Sequence, residues 1–303
     1  MRKNKINIGI IGLGYLGKYH YEKYHKNPLC NIEWVVDINK KNLNYVSPQY
    51  KKTTNYKEII KDVDAVSIVT PTKNHFPISK YFLEKNIHVL LEKPMTDTIE
   101  QANKLIKIAK TNKLILQIGH LERFNPVMDT LNRQIKNPMF IEGHRLSKFN
   151  VRSTDVNVIY DLMIHDIDIM KSLVNSNIKK ISAFGKKILT KSTDIANVRI
   201  EFSNKCIANL TASRISQKNE RKLRIFQKDT YLSVDFMNHE IKKYTKDKIK
   251  LFKREDFKFD KSDALKIEIN NFILSCLGKE KPLVNGEMGK EALLIAHKIS
   301  KLL

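Results

Sequence analysis

The chain has 303 residues, 42% of them hydrophobic, which is long enough to form two packed cores. Its net charge of +23 would suit a nucleic-acid-binding protein, but the lysines are spread through every segment, so we predict no nucleic-acid partner. The sequence has no apolar run of about 18 residues and no signal-peptide pattern, so we expect a cytoplasmic protein without a membrane anchor.

The first third of the chain alternates short apolar runs with helical patterns. The runs are rich in β-branched residues and occupy positions 6–11, 32–36, 65–69, 87–91 and 114–118. This alternation is typical of βαβ units, and continuous hydrophobicity within each run indicates strands covered by helices on both faces. We therefore predict an α/β Rossmann domain over residues 1–121.

A glycine turn follows the first predicted strand. Gly12 permits a tight turn, Gly14 lets the backbone approach a pyrophosphate, and Gly17 allows the next helix to pack closely on the strand. Together they form the pattern GxGxxG, after which helical spacing continues. The cofactor-binding residues predicted in this segment are Gly12, Leu13, Gly14, Tyr15, Leu16 and Gly17.

Asp37 ends the second predicted strand, 20 positions after Gly17. An acidic residue at this spacing can accept hydrogen bonds from the adenosine ribose and would repel a 2′-phosphate. The cofactor is therefore predicted to be NAD rather than NADP. The alternative is a glycine-rich turn in some other α/β sheet, with Asp37 on its surface.

Lys93 follows the predicted strand 87–91 in the tripeptide Glu92-Lys93-Pro94. Open α/β sheets bind ligands at the carboxyl ends of their strands, and a proline disfavours helical geometry in the residue before it. Lys93 can there donate a hydrogen bond to a reacting hydroxyl or relay its proton. In a chain this rich in lysine, a surface residue at a strand end is the simpler interpretation until other motifs are considered.

The pattern changes after about residue 120 to longer strands in which polar and apolar residues alternate. Strands are predicted at 138–147, 178–188, 194–202, 206–213, 221–227 and 231–236, and helices at 156–174, 262–277 and 287–303. Alternation is typical of an antiparallel sheet with one open face. We predict an α+β domain over residues 122–303 with a large, mostly antiparallel open-faced sheet, and a homo-oligomer, a dimer or tetramer, formed through that face.

The predicted helix 156–174 carries a narrow polar stripe. Asp161, His165, Asp168 and Ser172 recur at i, i+4, i+7 and i+11 among apolar residues. Periodicity alone allows either a solvated edge or the wall of a polar pocket. The chemistry favours the pocket, because His165 can act as a general base and Asp161 can orient its ring or bind substrate. A metal site fits less well, since no further ligands cluster nearby, and we predict none.

These motifs occur in an order that resembles the Gfo/Idh/MocA (glucose-fructose oxidoreductase, inositol dehydrogenase, MocA) family. The matching segments are the GxGxxG turn, Glu92-Lys93-Pro94 and Asp161 to Asp168, and the resemblance extends over nearly the whole chain. It implies an NAD-dependent oxidoreductase in which Lys93, Asp161 and His165 face the substrate and the nicotinamide. Further cofactor-site residues implied by the resemblance are Thr70, Pro71, Thr72, His75, Glu92 and Lys93.

Two departures from the family pattern concern the second domain. Met163 replaces the glycine usual in the DxGxHxxD motif, and the glycine-rich stretch that commonly precedes the motif is absent. This leaves the titratable residues in place but can reshape the sugar pocket. The phrases GHLERFNP and DLMIHDIDI are most similar to members that oxidise the 3-position of a UDP-N-acetylhexosamine.

We therefore predict hydride transfer to NAD from a secondary hydroxyl of a sugar, a nucleotide sugar such as UDP-N-acetylglucosamine. The alternatives are an inositol or free-sugar dehydrogenase of the same family, and a catalytically silent NAD-binding sensor. The presence of Lys93, Asp161 and His165 argues against the sensor.

Arg123, two histidines and the three cysteines are not assigned a catalytic role. Arg123 can contact the cofactor or an anionic substrate, or can form a salt bridge at the preceding strand. His20 and His75 are each expected to be structural rather than catalytic. The three cysteines lack CxxC spacing and are expected to be reduced: they are Cys30, Cys206 and Cys276.

Overall fold

The computed structural model describes residues 5–150 and 156–303. The chain divides into two compact units. The first consists of Met1–Phe124 with Asp263–Lys290, and the second of Asn125–Ser262 with Glu291–Leu303. The chain therefore passes between the two units more than once, whereas the sequence pattern predicts a single division after residue 121.

A six-stranded parallel sheet forms the centre of the first unit. Its strands are β1 (Ile6–Ile11), β2 (Cys30–Val36), β3 (Lys51–Thr53), β4 (Ala65–Ile68), β5 (His88–Glu92) and β6 (Leu116–Gly119). Their order across the sheet is β3-β2-β1-β4-β5-β6. Every residue of β4 and β6 is buried, as expected for strands covered on both faces. The order reverses between β1 and β4, and such a switch point is where open α/β sheets bind ligands.

The second unit contains a larger sheet of eight strands. They are β7 (Phe140–Leu146), β8 (Ile178–Lys186), β9 (Ile195–Phe202), β10 (Ile207–Ser213), β11 (Glu220–Gln227), β12 (Thr230–Asp235), β13 (Glu240–Asp247) and β14 (Leu251–Lys258). The order is β14-β13-β12-β11-β7-β10-β9-β8, and β7 pairs with β10 in parallel while the other neighbours are antiparallel. This confirms the predicted mostly antiparallel sheet.

Two strands at one side of this sheet are absent from the sequence-based prediction. β13 and β14 have the sequences EIKKYTKD and LFKREDFK, in which charged residues obscure the hydrophobic alternation. Lysine is common on edge strands because its charge discourages pairing with another chain. The same charges that protect this edge therefore hide the two strands from a hydrophobicity pattern.

Helices cover both sheets. They are α1 (Tyr15–His25), α2 (Lys40–Leu43), α3 (His75–Glu84), α4 (Ile99–Thr111), α5 (Val127–Gln134), α6 (Ile164–Leu173), α7 (Ala264–Cys276) and α8 (Gly286–Ser300). Thr98 and Asp263 cap α4 and α7, because their side chains accept backbone N–H groups of the first turn. Among the described residues, none of the helices combines the length and hydrophobicity needed to cross a membrane.

Helix α7 explains why the domain division differs from the predicted one. Its apolar residues Leu265, Ile269, Phe272 and Ile273 share a buried cluster with β1. Asp263, the residue before the helix, pairs with Lys23 of α1 at 2.6 Å. Residues 263–290 therefore return to the first unit instead of continuing the second, because the apolar face of α7 packs on the first unit's core.

The two faces of the eight-stranded sheet differ in character. One face packs against α5, the helical segment 158–174 and the end of α8 in a continuous apolar core. The other carries half-buried polar and aromatic side chains, including a row of stacked rings. Phe226 lies 4.7 Å from Tyr231, and Tyr231 lies 5.4 Å from Tyr244, between ring centroids. This is the open-faced sheet that the alternating pattern predicts.

Candidate active site

The glycine turn lies between β1 and α1 in the first unit. Gly12 has a φ of +93°, and a Cβ added to it would lie 2.3 Å from the carbonyl oxygen of Val69. A Cβ on Gly17 would lie 2.1 Å from the carbonyl oxygen of Gly12, whereas one on Gly14 would meet nothing within 4 Å. Gly12 and Gly17 therefore shape the turn, and Gly14 keeps its outer side open to a ligand.

Helix α1 starts directly after this open position. Gly14 is its N-cap residue, and the first turn contains no acidic side chain. The exposed N–H groups and the helix dipole favour a negatively charged group at this end. Tyr15 and Leu16 are solvent-exposed beside the turn, whereas Leu13 is fully buried and can contribute only backbone atoms.

Asp37 follows β2 and lies against the glycine turn. Its Oδ2 accepts the backbone N–H of Leu13 at 2.6 Å, and its Oδ1 accepts that of Asn39 at 2.8 Å. Each carboxylate oxygen has a second lone pair, so the group can still accept hydrogen bonds from ribose hydroxyls. The structure thus brings the acidic residue and the glycine turn together, as the spacing predicts.

A cavity of about 540 Å³ opens at the carboxyl ends of β1, β2 and β4. This volume is ordinary for a small-molecule site. The predicted residues that line it are Gly12, Gly14, Asp37, Thr70 and Pro71, with apolar walls from Tyr56, Pro77 and Ile78. The hydroxyl oxygen of Thr70 is buried and has no hydrogen-bond partner within the described ranges. The open side of Gly14, the Asp37 carboxylate and the Thr70 hydroxyl fit a dinucleotide with an unphosphorylated ribose.

His75 connects two loops near this cavity without lining it. Its Nε2 lies 2.8 Å from the carbonyl oxygen of Thr70, and its Nδ1 lies 2.9 Å from that of Pro94. Burial lowers the pKa of His75, against the opposing effect of these two carbonyl groups. The histidine therefore ties the loop after β4 to the loop after β5. Thr72 lies at the start of a short 3-10 helix and also does not line the cavity.

Lys93 is half-buried immediately after β5, next to the buried carboxylate of Glu92. Glu92 Oε2 accepts the backbone N–H of Lys93 at 3.2 Å, and Glu92 Oε1 lies 3.1 Å from Nε2 of His20. The other ring nitrogen of His20 lies 3.0 Å from the hydroxyl oxygen of Ser67. His20 is therefore a core residue that links α1 to the end of β5, a connection with no signal in the local sequence.

The polar stripe predicted for residues 156–174 lies in the second unit. Asp161 belongs to a π-helical turn, Ile159–Met163, and His165 to the first turn of α6. Both side chains are half-buried, Asp168 is 4% exposed, and Ser172 is exposed. The π turn changes the regular α-helical offset between Asp161 and His165, and such turns are frequent at functional sites.

A buried ion pair next to His165 is absent from the sequence-based prediction. Arg145 of β7 donates from Nε and Nη2 to the Asp166 carboxylate at 2.8–3.1 Å. Both side chains are about as buried as the apolar core, at 4% and 5% exposure. The sequence does contain a sign of this burial, because the alternation of β7 places Arg145 on the same face as Ile141 and Gly143.

Two remaining predictions concern Arg123 and the cysteines. Arg123 is half-buried in a 3-10 helix, Leu121–Phe124, of the first unit, and its contact with cofactor or substrate stays a prediction. The three cysteines are free thiols. Burial raises the pKa of Cys30 to about 12 and that of Cys206 to about 11, which is typical of unreactive structural thiols.

Comparison with known proteins agrees with this geometry. Residues 6–120 match the model of the oxidoreductase family with an NAD-binding Rossmann fold, and residues 132–232 match the GFO/IDH/MocA C-terminal domain. A UDP-N-acetylglucosamine 3-dehydrogenase of Acidithiobacillus ferrooxidans is 33% identical over 302 residues, covering 97% of this chain and 96% of that protein. A scyllo-inositol 2-dehydrogenase (NAD(+)) of Bacillus subtilis is 26% identical, covering 71% and 69%.

Solved structures of the same two kinds of dehydrogenase are similar to this chain. A structure of the UDP-N-acetylglucosamine 3-dehydrogenase from Acidithiobacillus ferrooxidans has a TM-score of 0.93 at 32% identity, covering 99% of this chain and 98% of that one. The scyllo-inositol dehydrogenase of Lactobacillus casei, solved with NAD(H) and scyllo-inositol, has a TM-score of 0.84 at 18% identity, covering 99% and 97%. The second likeness is one of fold.

Proposed function

Because this chain belongs to the Gfo/Idh/MocA family of NAD-dependent oxidoreductases, we propose that it oxidises the 3-hydroxyl of UDP-N-acetylglucosamine or a closely related nucleotide sugar. The chain is a dehydrogenase acting on a CH–OH group, and NAD is its cofactor. The end-to-end match to a UDP-N-acetylglucosamine 3-dehydrogenase supports this substrate. The inositol dehydrogenase relative matches at lower identity over a smaller part of the chain.

The residues proposed to hold NAD fall into three groups. The glycine turn with Leu13, Tyr15 and Leu16 receives the pyrophosphate at the start of α1, and the Asp37 carboxylate accepts the ribose hydroxyls. The segment from β4 to the start of α3 and the end of β5 complete the site with Thr70, Pro71, Thr72, His75, Glu92 and Lys93.

When bound, NAD supplies the hydride acceptor for the carbon that carries the reacting hydroxyl. We propose that His165 removes the hydroxyl proton and that Asp161 orients its ring or binds the sugar. Lys93 donates a hydrogen bond to the oxygen on which negative charge develops. Arg123 is proposed to contact the anionic substrate, since guanidinium groups bind phosphates through paired hydrogen bonds.

The substrate proposal is tested by following NADH formation. The purified protein, freed of bound cofactor, is incubated with NAD and with UDP-N-acetylglucosamine, free N-acetylglucosamine or myo-inositol. We expect turnover of the nucleotide sugar and a product lighter by two hydrogen atoms in mass spectrometry. Turnover of myo-inositol without turnover of the nucleotide sugar would contradict the proposal and identify an inositol dehydrogenase.

We also propose that the protein is a homo-oligomer that pairs through the open face of the eight-stranded sheet. The row of rings on this face continues from Phe226 to Phe140 at 5.9 Å, and Arg254 lies 6.0 Å from the Tyr244 ring centroid. Aromatic side chains and arginine are enriched at interfaces. Light scattering during gel filtration gives the number of subunits, and a monomer at all concentrations would contradict this proposal.

We propose that the protein works in the cytoplasm. Its cysteines are unpaired, and free thiols persist in the reducing environment of that compartment. Fractionation of the source cells with detection by a specific antibody tests this directly.

A further inference from the structure

A buried cluster of three titratable side chains lies in the core of the first unit. It consists of His20 from α1, Glu92 at the end of β5 and Glu268 from α7, whose nitrogen and oxygen atoms lie within 4.8 Å of one another. His20 and Glu268 are completely buried, and Glu92 is 8% exposed. Ionising both of two carboxyl groups this close together in a buried site is costly in free energy, because burial and mutual repulsion both oppose the charged form.

The carboxylate of Glu92 has defined partners. It accepts His20 Nε2 on one oxygen and the backbone N–H of Lys93 on the other, at 3.1 and 3.2 Å. Gly119 on the neighbouring strand leaves the space for it, because an added Cβ would lie 2.9 Å from the carboxylate atoms. Burial alone would raise the pKa of Glu92, but the hydrogen bond and charge of His20 bring it below its usual value. Glu92 is therefore the ionised member of the cluster.

Glu268 has the opposite environment. Neither carboxyl oxygen has a hydrogen-bond partner in the described part of the chain. Burial, and secondarily the charge of Glu92, raise the pKa of Glu268 well above its ordinary value of 4.5. A pKa raised in this way favours the carboxylic acid form, which carries one O–H donor that needs an acceptor. The ionised carboxylate of Glu92, whose oxygen lies within 4.8 Å in the same cluster, is the acceptor we assign to this O–H.

We propose that Glu268 is a positioning residue, which as a neutral acid turns its O–H toward the Glu92 carboxylate within 4.8 Å and, together with His20, fixes the group that holds the backbone of Lys93. A hydrogen bond formed in this way is charge-assisted, and bonds of this kind are shorter and stronger than neutral ones. The effect on catalysis rests on the proposed function, in which Lys93 contacts the reacting hydroxyl. The protonation of Glu268 is independent of the proposed function.

A divalent cation bound by the same three residues is the competing interpretation. It would require both carboxyl groups ionised and a lone pair on Nε2 of His20 directed at the metal. The ionised Glu92 accepts at its oxygen atoms only, so a hydrogen bond to Nε2 requires the N–H there instead. The two interpretations predict opposite results for the isosteric change Glu268→Gln.

The test compares wild type with Glu268→Gln and Glu268→Leu. Glutamine keeps an N–H donor for Glu92, so we expect kcat within about threefold of wild type. Leucine removes the donor, and we expect kcat to fall about 10- to 100-fold through misplacement of Lys93, with a smaller change in KM for NAD. Equal activity of all three proteins would overturn the positioning role. Circular dichroism and thermal melts confirm that each variant is folded.

Two measurements report on Glu268 without any substrate. Infrared difference spectra are expected to show the carbonyl band of a buried carboxylic acid in wild type at neutral pH and its loss in Glu268→Gln. Urea unfolding as a function of pH gives the second measurement. Because the unfolded state releases the Glu268 proton above pH 4.5 and the folded state retains it, the unfolding constant of wild type should rise, relative to Glu268→Gln, by up to about tenfold per pH unit.

Within residues 5–150 and 156–303, the other titratable groups that face Glu268 are His20 and Tyr24 from α1 and Glu92 from β5, and all three remain in both proteins. Parallel pH curves without the infrared band would show that Glu268 is ionised and would overturn the proposal. One equivalent of divalent metal in the purified wild type, lost in Glu268→Gln together with activity, would establish the metal site instead. If wild type shows the band and the pH effect but does not oxidise the nucleotide sugar, the proposed substrate fails while the protonation of Glu268 stands.

Discussion

The carboxylate of Asp37 accepts the backbone N–H of Leu13 at 2.6 Å, so the acidic residue after β2 is joined directly to the glycine turn after β1. A second bond to the N–H of Asn39 fixes the other oxygen. The carboxylate proposed to bind the ribose is therefore already oriented by the backbone of the loop proposed to bind the pyrophosphate. Pre-organisation of this kind reduces the ordering cost of binding.

Replacing Asp37 with asparagine should weaken NAD binding and reduce discrimination against NADP. The change removes the negative charge and one acceptor, and hydrogen bonds to charged groups contribute about 1.5–3 kcal/mol. We expect kcat/KM for NAD to fall roughly 10- to 100-fold, with a smaller fall or a gain for NADP. Kinetics with both cofactors measure this, and Asp129→Asn on the exposed surface of α5 is the control. If the ratio of kcat/KM for NAD to kcat/KM for NADP did not change, Asp37 would not contact the ribose.

The glycines of the turn should separate cofactor binding from folding. Gly14→Val adds a side chain in open space, so we expect unfolding free energy within about 0.5 kcal/mol of wild type but NADH binding weakened at least tenfold. Gly17→Val places a Cβ against the carbonyl of Gly12 and should destabilise the fold by about 1–3 kcal/mol or more. Urea unfolding and NADH fluorescence titration report the two effects. A loss of stability in Gly14→Val equal to that in Gly17→Val would contradict the assignment.

Removing the proposed base should affect chemistry more than binding. General acid–base groups contribute about 10²- to 10⁴-fold, so we expect His165→Ala and Lys93→Met each to lower kcat within this range. NADH binding should stay close to wild type for His165→Ala. Ser172→Ala is the matched control, because Ser172 lies in the same helix, is exposed, and donates its hydroxyl to the Ile169 carbonyl oxygen at 2.7 Å. If Ser172→Ala lowered kcat as far as His165→Ala, the effect would come from the helix rather than from the imidazole.

The buried ion pair beside His165 should be costly to break on one side. Arg145→Met leaves the Asp166 carboxylate buried without its bidentate partner, and we expect a loss of about 3–5 kcal/mol in unfolding free energy. The double variant with Asp166→Leu should be less destabilised than the sum of the single variants. The exposed pair Arg224–Glu142 on the open sheet face is the control, for which Arg224→Met should cost less than about 1 kcal/mol. Equal costs at the two sites would show that burial does not set the strength of the Arg145 pair.

Much of the fold follows from local patterns. Apolar runs predict all but the short edge strand of the first sheet, and alternation predicts six of the eight strands of the second. β13 and β14 are not predicted, because lysine and glutamate occupy positions that need not be apolar at a solvated sheet edge.

The return of residues 263–290 to the first unit is not predicted for another reason. The pattern of α7 shows which of its faces is apolar, but not which of two cores that face will join.

The sequence by itself determined the cofactor class and the family, because the glycine turn and its acidic partner act through backbone conformation and spacing that are local to one βαβ unit. Only the tertiary structure decided which polar side chains depend on one another. His20, Glu92 and Glu268 are separated by 72 and 176 positions along the chain, yet they share one buried cluster. The pKa values of Glu92 and Glu268 are shifted by burial and by neighbouring charges, and both causes depend on how distant segments pack rather than on any motif.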